Sequence, residues 1–383
     1  MASEKYVALD IGTSSVKAIE AVVSRGSIKI TRVYTLPIQS EVVSSGKVVA
    51  PELLTTALRR LWREGRFSTR NVALLASGYE QSTDRVFPKL PWSSTHEDFK
   101  VFLPTYMKNS PDVSSFYEED KYYVDEHTLN EYIDERDGKR YKKSLVTFLA
   151  REYVDSLVTA AESVKLLPIK MDTLPFCLIR AFAHANMLDS NEIVVSVDIG
   201  ASATNVTIHK NGQPISIQTV DQLGGRRITE RIARGLGVSF AEAEFLKIAL
   251  SVTREELSNL ARNIVLAEGV DRNLTLESFS EDAIAKAINI ISQEVSHLIS
   301  NVNDVLYDTD NLLTEEESFS RIVVSGGTAK LRTLTSRLEA ELEIKTELLN
   351  TFANARLPRI KGNVGENLQA YAGVYGLLVG KHA

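Results

Sequence analysis

An α/β protein of two related lobes, with a smaller α+β segment inserted between their motifs, is the fold this sequence predicts. Three observations carry that prediction. The stretch VALDIGTSSVKAIE (Val7–Glu20) has an echo, VSVDIGASATNVTI (Val195–Ile208), so one acidic, glycine-containing turn stands in each half. Each copy opens a longer unit of strand, loop, strand, turn and strand. Between the copies lies a stretch, residues 39–167, that has no counterpart after the second.

The elements follow in order. In the first copy YVALDIG ends on Asp10 and Gly12, VKAIEAVV alternates as a second strand, Arg25-Gly26 turns the chain, and SIKITRVYTLPI is a third strand. In the second copy EIVVSVDIG, TNVTIHK, Asn211-Gly212 and PISIQTVDQL repeat the order. The unduplicated stretch reads as a helix over Pro51–Trp62, a strand NVALLAS, a proline-edged FPKLPW, a charged tyrosine-rich hairpin around Tyr117–Lys143, a strand SLVTFLA and a helix REYVDSLVTAAESV. After the second copy the chain turns helical, with GGRRITERIARGLG and SFAEAEFLKIAL as short helices.

A long helix over Glu281–Leu306 follows. Ile284, Ile288, Ile291, Val295, Leu298, Val302 and Val305 fall on one apolar stripe, which reads as a core-facing helix because it is too short for a sustained coiled-coil seam. FSRIVVSGG reads as a buried strand entering a glycine turn, TAKLRTLTSRLEAEL as a helix leaving it, and ENLQAYAGVYGLLVGKHA as a helix packed on the body. The resulting division is residues 1–38 with 168–190 for the first lobe, 39–167 for the insert and 191–383 for the second lobe.

Composition excludes several classes. With 383 residues, 44% of them hydrophobic, the chain has ample material for two cores. A formal net charge of −6 argues against a sequence-independent nucleic-acid binder, which needs a cationic face for phosphates. The single cysteine, Cys177 in the apolar run LPFCLIRAF, permits no internal disulfide and reads as a buried structural thiol in a reducing compartment. The opening residues enter a strand at once, leaving no room for a signal-peptide core, and no apolar run approaches the roughly 18–20 residues of a membrane span. The expectation is a cytoplasmic protein with no direct membrane insertion. His96, His127, His184, His209, His297 and His382 show no metal-ligand spacing, and the acids around Glu118–Asp125 lack His or Cys partners.

The repeated turn carries the chemistry. A strand ending in Asp, then Gly and small hydroxyl residues, makes a tight loop whose backbone N–H groups suit an anion, phosphate above all. In DIGTSSVK, Gly12 is followed by the hydroxyls of Thr13, Ser14 and Ser15, and Lys17 adds positive charge. In DIGASATN, Asp198 and Gly200 are followed by Ala201, Ser202 and Thr204, without a lysine. Asp10 and Asp198 suit a magnesium ion held through water. Two such loops face to face would clamp a polyphosphate. No G-x-x-x-x-G-K-[ST] is present, and GGRRITERIARGLG is not a dinucleotide fingerprint.

These residues resemble the actin-like ATPase superfamily. LDIGTSSVK looks like its first phosphate motif, VDIGASATN its second and IVVSGGTAKL its adenosine motif, contributing Gly326, Gly327, Thr328 and Lys330. ITERIARGLGVSFAEAEFLK resembles the stretch that brings Glu244 and Lys247 to the ribose and adenine side, and Gly224 and Gly225 just before it join the expected contacts. Within the superfamily the chain is similar throughout to the PilM family of type IV pilus assembly proteins. The resemblance implies duplicated ribonuclease-H-like lobes with ATP and Mg2+ between them. It also implies a groove beside the insert for the N-terminal cytoplasmic peptide of a PilN-like inner-membrane protein. The protein would thus sit at the inner face of the membrane through its partner, with self-association an open alternative.

One departure matters. Hydrolysing relatives place an acid before the proline that starts the helix after the first lobe's last strand. Here that stretch is MDTLPFCLIRA, with Leu174 before Pro175 and the nearest acid at Asp172. Leucine cannot orient or deprotonate water, so the expectation is ATP binding with weak or absent turnover. Two other readings stand beside it. An FtsA-like polymerising division protein is disfavoured because no basic amphipathic tail is read at the end of the sequence, and a small-molecule kinase because no general-base aspartate stands out. Tyr122, Tyr123 and Tyr132 suit either partner contacts or packing of the insert.

Overall fold

The computed structural model describes residues 3–24, 27–39, 42–44, 47–78, 82–92, 96–111, 113, 116–189, 192–251, 269–271, 273–310, 313–356 and 367–379. Two five-stranded mixed sheets are built on the same plan. In the first, β1 (Glu4–Ile11), β2 (Ser15–Ser24) and β3 (Ser27–Pro37) form an antiparallel meander. A two-residue ribbon, β4 (Val43–Ser44) with β5 (Lys47–Val48), leads into helix α1 (Pro51–Gly65), which Pro51 opens at a position where its missing N–H costs nothing. Strand β6 (Asn71–Ala76) then runs parallel to β1, pairing Val7 with Val72 and Asp10 with Leu75. Its run VALLA is buried on both faces, as a central parallel strand requires.

The chain then leaves for the insert. Strands β7 (Ser82–Pro91), β8 (Tyr122–Ile133) and β9 (Arg140–Ala150) form an antiparallel sheet in the order β7-β9-β8. Helix α2 (His96–Lys108) belongs to the same small core, in which Leu103 and Met107 meet Phe87, Val146 and Phe148. Tyr122 joins that packing, whereas Tyr123 is exposed under the Arg151 guanidinium, 4.1 Å from its ring centroid. On the return, α3 (Arg151–Ser163) packs with α1 on the first sheet, β10 (Leu167–Thr173) pairs parallel to β6, and α4 (Leu174–His184) follows.

The second sheet repeats the first. β11 (Ile193–Ile199), β12 (Ala203–Lys210) and β13 (Gln213–Asp221) form the meander. Helices α5 (Gly225–Leu236), α6 (Phe240–Ala249) and α7 (Glu281–Asp310) come next. β14 (Arg321–Ser325) pairs parallel to β11, α8 (Leu334–Leu342) follows, and β15 (Thr346–Leu348) closes the edge. The orders β10-β6-β1-β2-β3 and β15-β14-β11-β12-β13 are therefore equivalent strand by strand. The duplication reaches beyond the three-strand unit to the two parallel strands of each sheet.

Two boundaries and the margin of one helix face differ from the sequence expectation. The stretch 39–167 is not all insert, because α1 and β6 build the first lobe and α3 packs on it; the insert proper is β7 to β9. The helix expected from Thr328 starts only at Leu334, since 328–333 form turns and Thr333 is left-handed at φ 65°. On α7, Ile288 is 43% exposed at the margin of the stripe, and Ile299 is buried in the core with the rest. The Arg25-Gly26 turn lies outside the described residues.

The end of the described chain does not stay with the second lobe. A 3-10 turn, Leu368–Tyr371, and helix α9 (Ala372–Gly376) cross to the first, where Tyr371, Val374, Tyr375, Leu377, Leu378 and Val379 pack against Tyr6, Ile19 and Cys177. Burying each large apolar side chain there contributes about 1.5–3 kcal/mol. Its carbonyls are capped from the first lobe: Lys170 Nζ donates to Leu377 O at 2.6 Å and Arg180 Nε to Gly376 O at 3.2 Å. A Cβ on Gly376 would lie 1.9 Å from Cys177 O, so only glycine permits this approach of α9 to α4. Helix α4 is apolar on both sides. Cys177 and Ala181 face α9, while Leu178 and Phe182 meet Val194 and Val323 of the second sheet. Burial pushes the Cys177 thiol up to about 12, which makes it a core group.

Candidate functional site

Asp10 and Asp198 occupy equivalent places at the ends of β1 and β11, each aligned with the last residues of its parallel neighbour. The loops after them close in the same way. Gly12 N–H donates to Ser15 O at 3.1 Å and Gly200 N–H to Ala203 O at 2.9 Å. The glycine amides are thus used inside the loops, and a ligand would meet the amides and hydroxyls that follow them. The two loops touch across the lobes, Thr13 Oγ1 lying 2.8 Å from Ser202 Oγ. Ser14 supports its loop through its carbonyl, which accepts from Ile38 N–H at 3.0 Å.

Charge at the site is uneven. Lys17 Nζ donates to Asp10 Oδ2 at 3.0 Å. The Asp198 carboxylate accepts from Ser325 Oγ at 2.7 Å. Burial pushes its carboxyl up to about 6, against the pull of Ser325 and Lys17 and with a further push from Asp10. Lys17 therefore acts on both aspartates, one cation for two carboxylates. Such a set fits a hard divalent cation, and no group of three or more His, Cys, Asp or Glu residues at ligand spacing exists among the described residues. A magnesium ion sharing its shell with water and phosphate needs no more protein oxygen than this.

Two hydroxyls that the sequence reading passed over complete the pattern. Ser77, just past β6, donates to Asp10 Oδ1 at 2.9 Å, as Ser325 at the end of β14 does to Asp198. The signal was present in the serines that close NVALLAS and RIVVS, but it requires knowing that these strands lie beside β1 and β11.

The remaining predicted residues cluster under the second loop. Gly225 N–H donates to Gly200 O at 3.0 Å and Arg226 N–H to Ala201 O at 2.8 Å, so Gly224 and Gly225 seat α5 on that loop. Thr204 Oγ1 donates to Leu223 O at 2.5 Å and Thr328 Oγ1 to Gly200 O at 3.0 Å. Lys247 Nζ lies 2.6 Å from Glu244 Oε2 and 3.1 Å from Gly225 O, a buried cation beneath the start of α5. Gly326, at φ 96°, passes so close to Ile199 that a Cβ would lie 2.4 Å from its carbonyl oxygen. Gly326 N–H donates to Gln369 O at 3.1 Å, and Asn367 Nδ2 to Gly327 O at 2.7 Å, joining the loop after β14 to the crossing segment. Lys330 is half-buried in the turn beyond.

Leu174 and Asp172 are both occupied elsewhere. Leu174 packs among apolar residues of α4's surroundings, and Asp172 pairs with Arg180 at 2.5 Å. His209 is equally structural: it is buried, 2.9 Å from Ser196 Oγ and stacked on Phe182, and burial pushes its imidazole down to about 3.

Duplicated sheets with an aspartate loop at the same edge of each define the actin-like ATPase class of folds. The structure superposes on the PilM-PilN type IV pilus biogenesis complex with a TM-score of 0.73, at 17% identity, covering 98% of this chain and 97% of that one. The ethanolamine utilization protein EutJ from Carboxydothermus hydrogenoformans gives 0.51 at 12% identity, covering 99% and 90%. The profile of the type IV pilus assembly protein PilM matches residues 8–276, most of the sequence, and the chain belongs to that family. The profile of the cell division protein FtsA matches residues 195–363. Cell division protein FtsA of Bacillus subtilis (strain 168) is 24% identical over 318 residues, 79% of this chain and 70% of that protein.

Proposed function

We propose that this protein binds ATP with Mg2+ between its lobes and acts as a nucleotide-stabilised adaptor of type IV pilus assembly. It would hold the N-terminal cytoplasmic peptide of a PilN-like inner-membrane protein. The observation that carries the nucleotide half is the pair of loops in contact through Thr13 and Ser202, with Asp10, Lys17 and Asp198 at their bases. Family membership, and the likeness to a PilM-PilN complex, support the partner half. No helix among the described residues is long and apolar enough to cross a membrane, in keeping with a membrane address supplied by a partner.

When bound, magnesium would offset the phosphate charge that Lys17 alone cannot. The chain's own groups hold the phosphates through the loop amides and hydroxyls, and Glu244 and Lys247 lie on the expected nucleoside side. Turnover is slow in this reading, because Leu174 stands before Pro175 and Asp172, the nearest acid in that stretch, is held by Arg180.

The test uses the full chain. Titration calorimetry with ATP and magnesium should show binding that Asp10→Ala abolishes, and a labelled PilN-like tail peptide should bind more tightly with nucleotide than without. Steady magnesium-dependent phosphate release well above the Asp10→Ala level would sink the slow-turnover reading. The FtsA match to the second lobe favours one alternative, a polymerising protein, and nucleotide-dependent sedimentation without peptide binding would select it.

A further inference from the structure

The insert is joined to the first lobe by two chain connections, and both meet at Asp10. The outgoing connection starts with Ser77 and Gly78, immediately after β6. The incoming one is β9 running into α3, on whose first turn Tyr153 stands. Gly78 N–H donates to the Tyr153 hydroxyl at 3.1 Å, so entry and exit are bonded to each other. Ser77 Oγ, one residue earlier, donates to Asp10 Oδ1 at 2.9 Å. Tyr153 is buried, and burial together with the Asp10 charge pushes its phenol up, so the hydroxyl stays neutral.

The second lobe holds its aspartate in a related way. Ser325 Oγ donates to Asp198 Oδ2 at 2.7 Å, and the N–H of the next residue, Gly326, goes to Gln369 O on the crossing segment at 3.1 Å. The pairing register sets Leu75, not Ser77, opposite Asp10 where Ser325 lies opposite Asp198. The serine of the first lobe thus reaches its aspartate from two residues further along the chain, where that chain leaves for the insert.

We propose that Ser77 positions Asp10, that Tyr153 ties the two roots of the insert together at Gly78, and that this linkage couples nucleotide occupancy of the cleft to how firmly the insert is held. The inference rests on the nucleotide reading above. Asp10 holds Ser77 with one oxygen and Lys17 with the other. A ligand that draws Lys17 or Asp10 toward phosphate and magnesium changes the hold on Ser77. Through Gly78 and Tyr153 that change reaches both roots of the insert. No route through the packed sheet is required, because the connection consists of three consecutive hydrogen-bonded or covalent links.

The experiment measures amide hydrogen exchange of the full chain with and without adenylyl imidodiphosphate and magnesium, alongside calorimetric affinity, for wild type, Tyr153→Phe and Ser77→Ala. In the wild type the analogue should slow exchange in β7 and β9 by about tenfold, as well as in the loops around Gly12 and Gly200. Tyr153→Phe keeps the buried ring and loses only the hydroxyl. It should keep affinity within about threefold and retain the slowing at the loops, but lose the slowing in β7 and β9. Ser77→Ala, which strips Asp10 of its donor, should weaken the analogue by roughly three- to tenfold and lose the slowing as well. Equal slowing of β7 and β9 in wild type and Tyr153→Phe overturns the proposal, as does wild-type binding that leaves the insert unchanged. Failure of the wild type to bind the analogue brings down the nucleotide reading, and this inference with it. Should Ser77→Ala not fold, Tyr153→Phe decides alone.

Discussion

Thr13 and Ser202 bring one hydroxyl from each lobe to 2.8 Å of the other, a direct link between the two halves of the duplicated motif. A hydroxyl pair of this kind between part-buried groups is worth on the order of 0.5–1 kcal/mol of coupling. A double-mutant cycle of Thr13→Ala and Ser202→Ala, followed by urea denaturation, should return an interaction energy in that range. Strict additivity would show that the loops do not meet in solution.

Asp198 sets a pH dependence. Its folded-state carboxyl titrates at about 6, above the ordinary 3.8, because it is buried. Below about pH 4 it is protonated in the folded and unfolded chains alike. As pH rises between about 4 and 6 the unfolded chain ionises first, and stability is lost until the folded group has ionised too; the full cost is on the order of 2–3 kcal/mol. Asp198→Asn should therefore match wild type near pH 4 and exceed it by on the order of 2 kcal/mol near pH 7.5, while losing magnesium-dependent binding. An equal difference in urea midpoint at both pH values would show that the carboxylate carries no such cost.

Cys177 should be silent to thiol reagents in the native protein. It is fully buried, and its thiol is held up near 12, so the reactive thiolate is scarce and shielded. Labelling by a maleimide should proceed only as fast as the protein opens and should accelerate through the urea transition. Labelling at the rate of a free thiol in buffer would contradict the packing of α4 against α9.

Gly376→Ala tests that packing directly. The new methyl would meet Cys177 O at 1.9 Å, a backbone atom that cannot swing aside. The expected loss is about 2–3 kcal/mol of stability with earlier maleimide labelling of Cys177. A variant as stable as wild type, with Cys177 still protected, would show that α9 can shift without cost.

The repeated turn made the two-lobed fold legible, because Asp, Gly and small hydroxyls at a strand end are a local pattern. What stayed hidden was non-local. β6 and β10 belong to the first sheet through parallel pairing across a long excursion, and VALLA alone cannot say which strand it lies beside. For the same reason Ser77 and Ser325 went unread as partners of the aspartates. The start of α8 was missed because Thr328, whose hydroxyl and amide serve Gly200 and Ile199, stands where helical periodicity alone would begin the helix. Glu244 and Lys247 stand three residues apart in the sequence, as an i,i+3 pair on one helix, while their burial beneath Gly225 depends on how α5 and α6 pack.

The crossing segment has a consequence for how the protein is made. The whole first sheet is synthesised by Thr173, yet the layer that covers its Tyr6 and Ile19 face includes Tyr371 to Val379. On the ribosome that face must wait, unsealed, while the entire second lobe is translated. The first lobe therefore emerges before the second and is finished after it. Its completion coincides with the arrival of Asn367 and Gln369 at Gly327 and Gly326, so the nascent chain closes its core and its cleft in a single step.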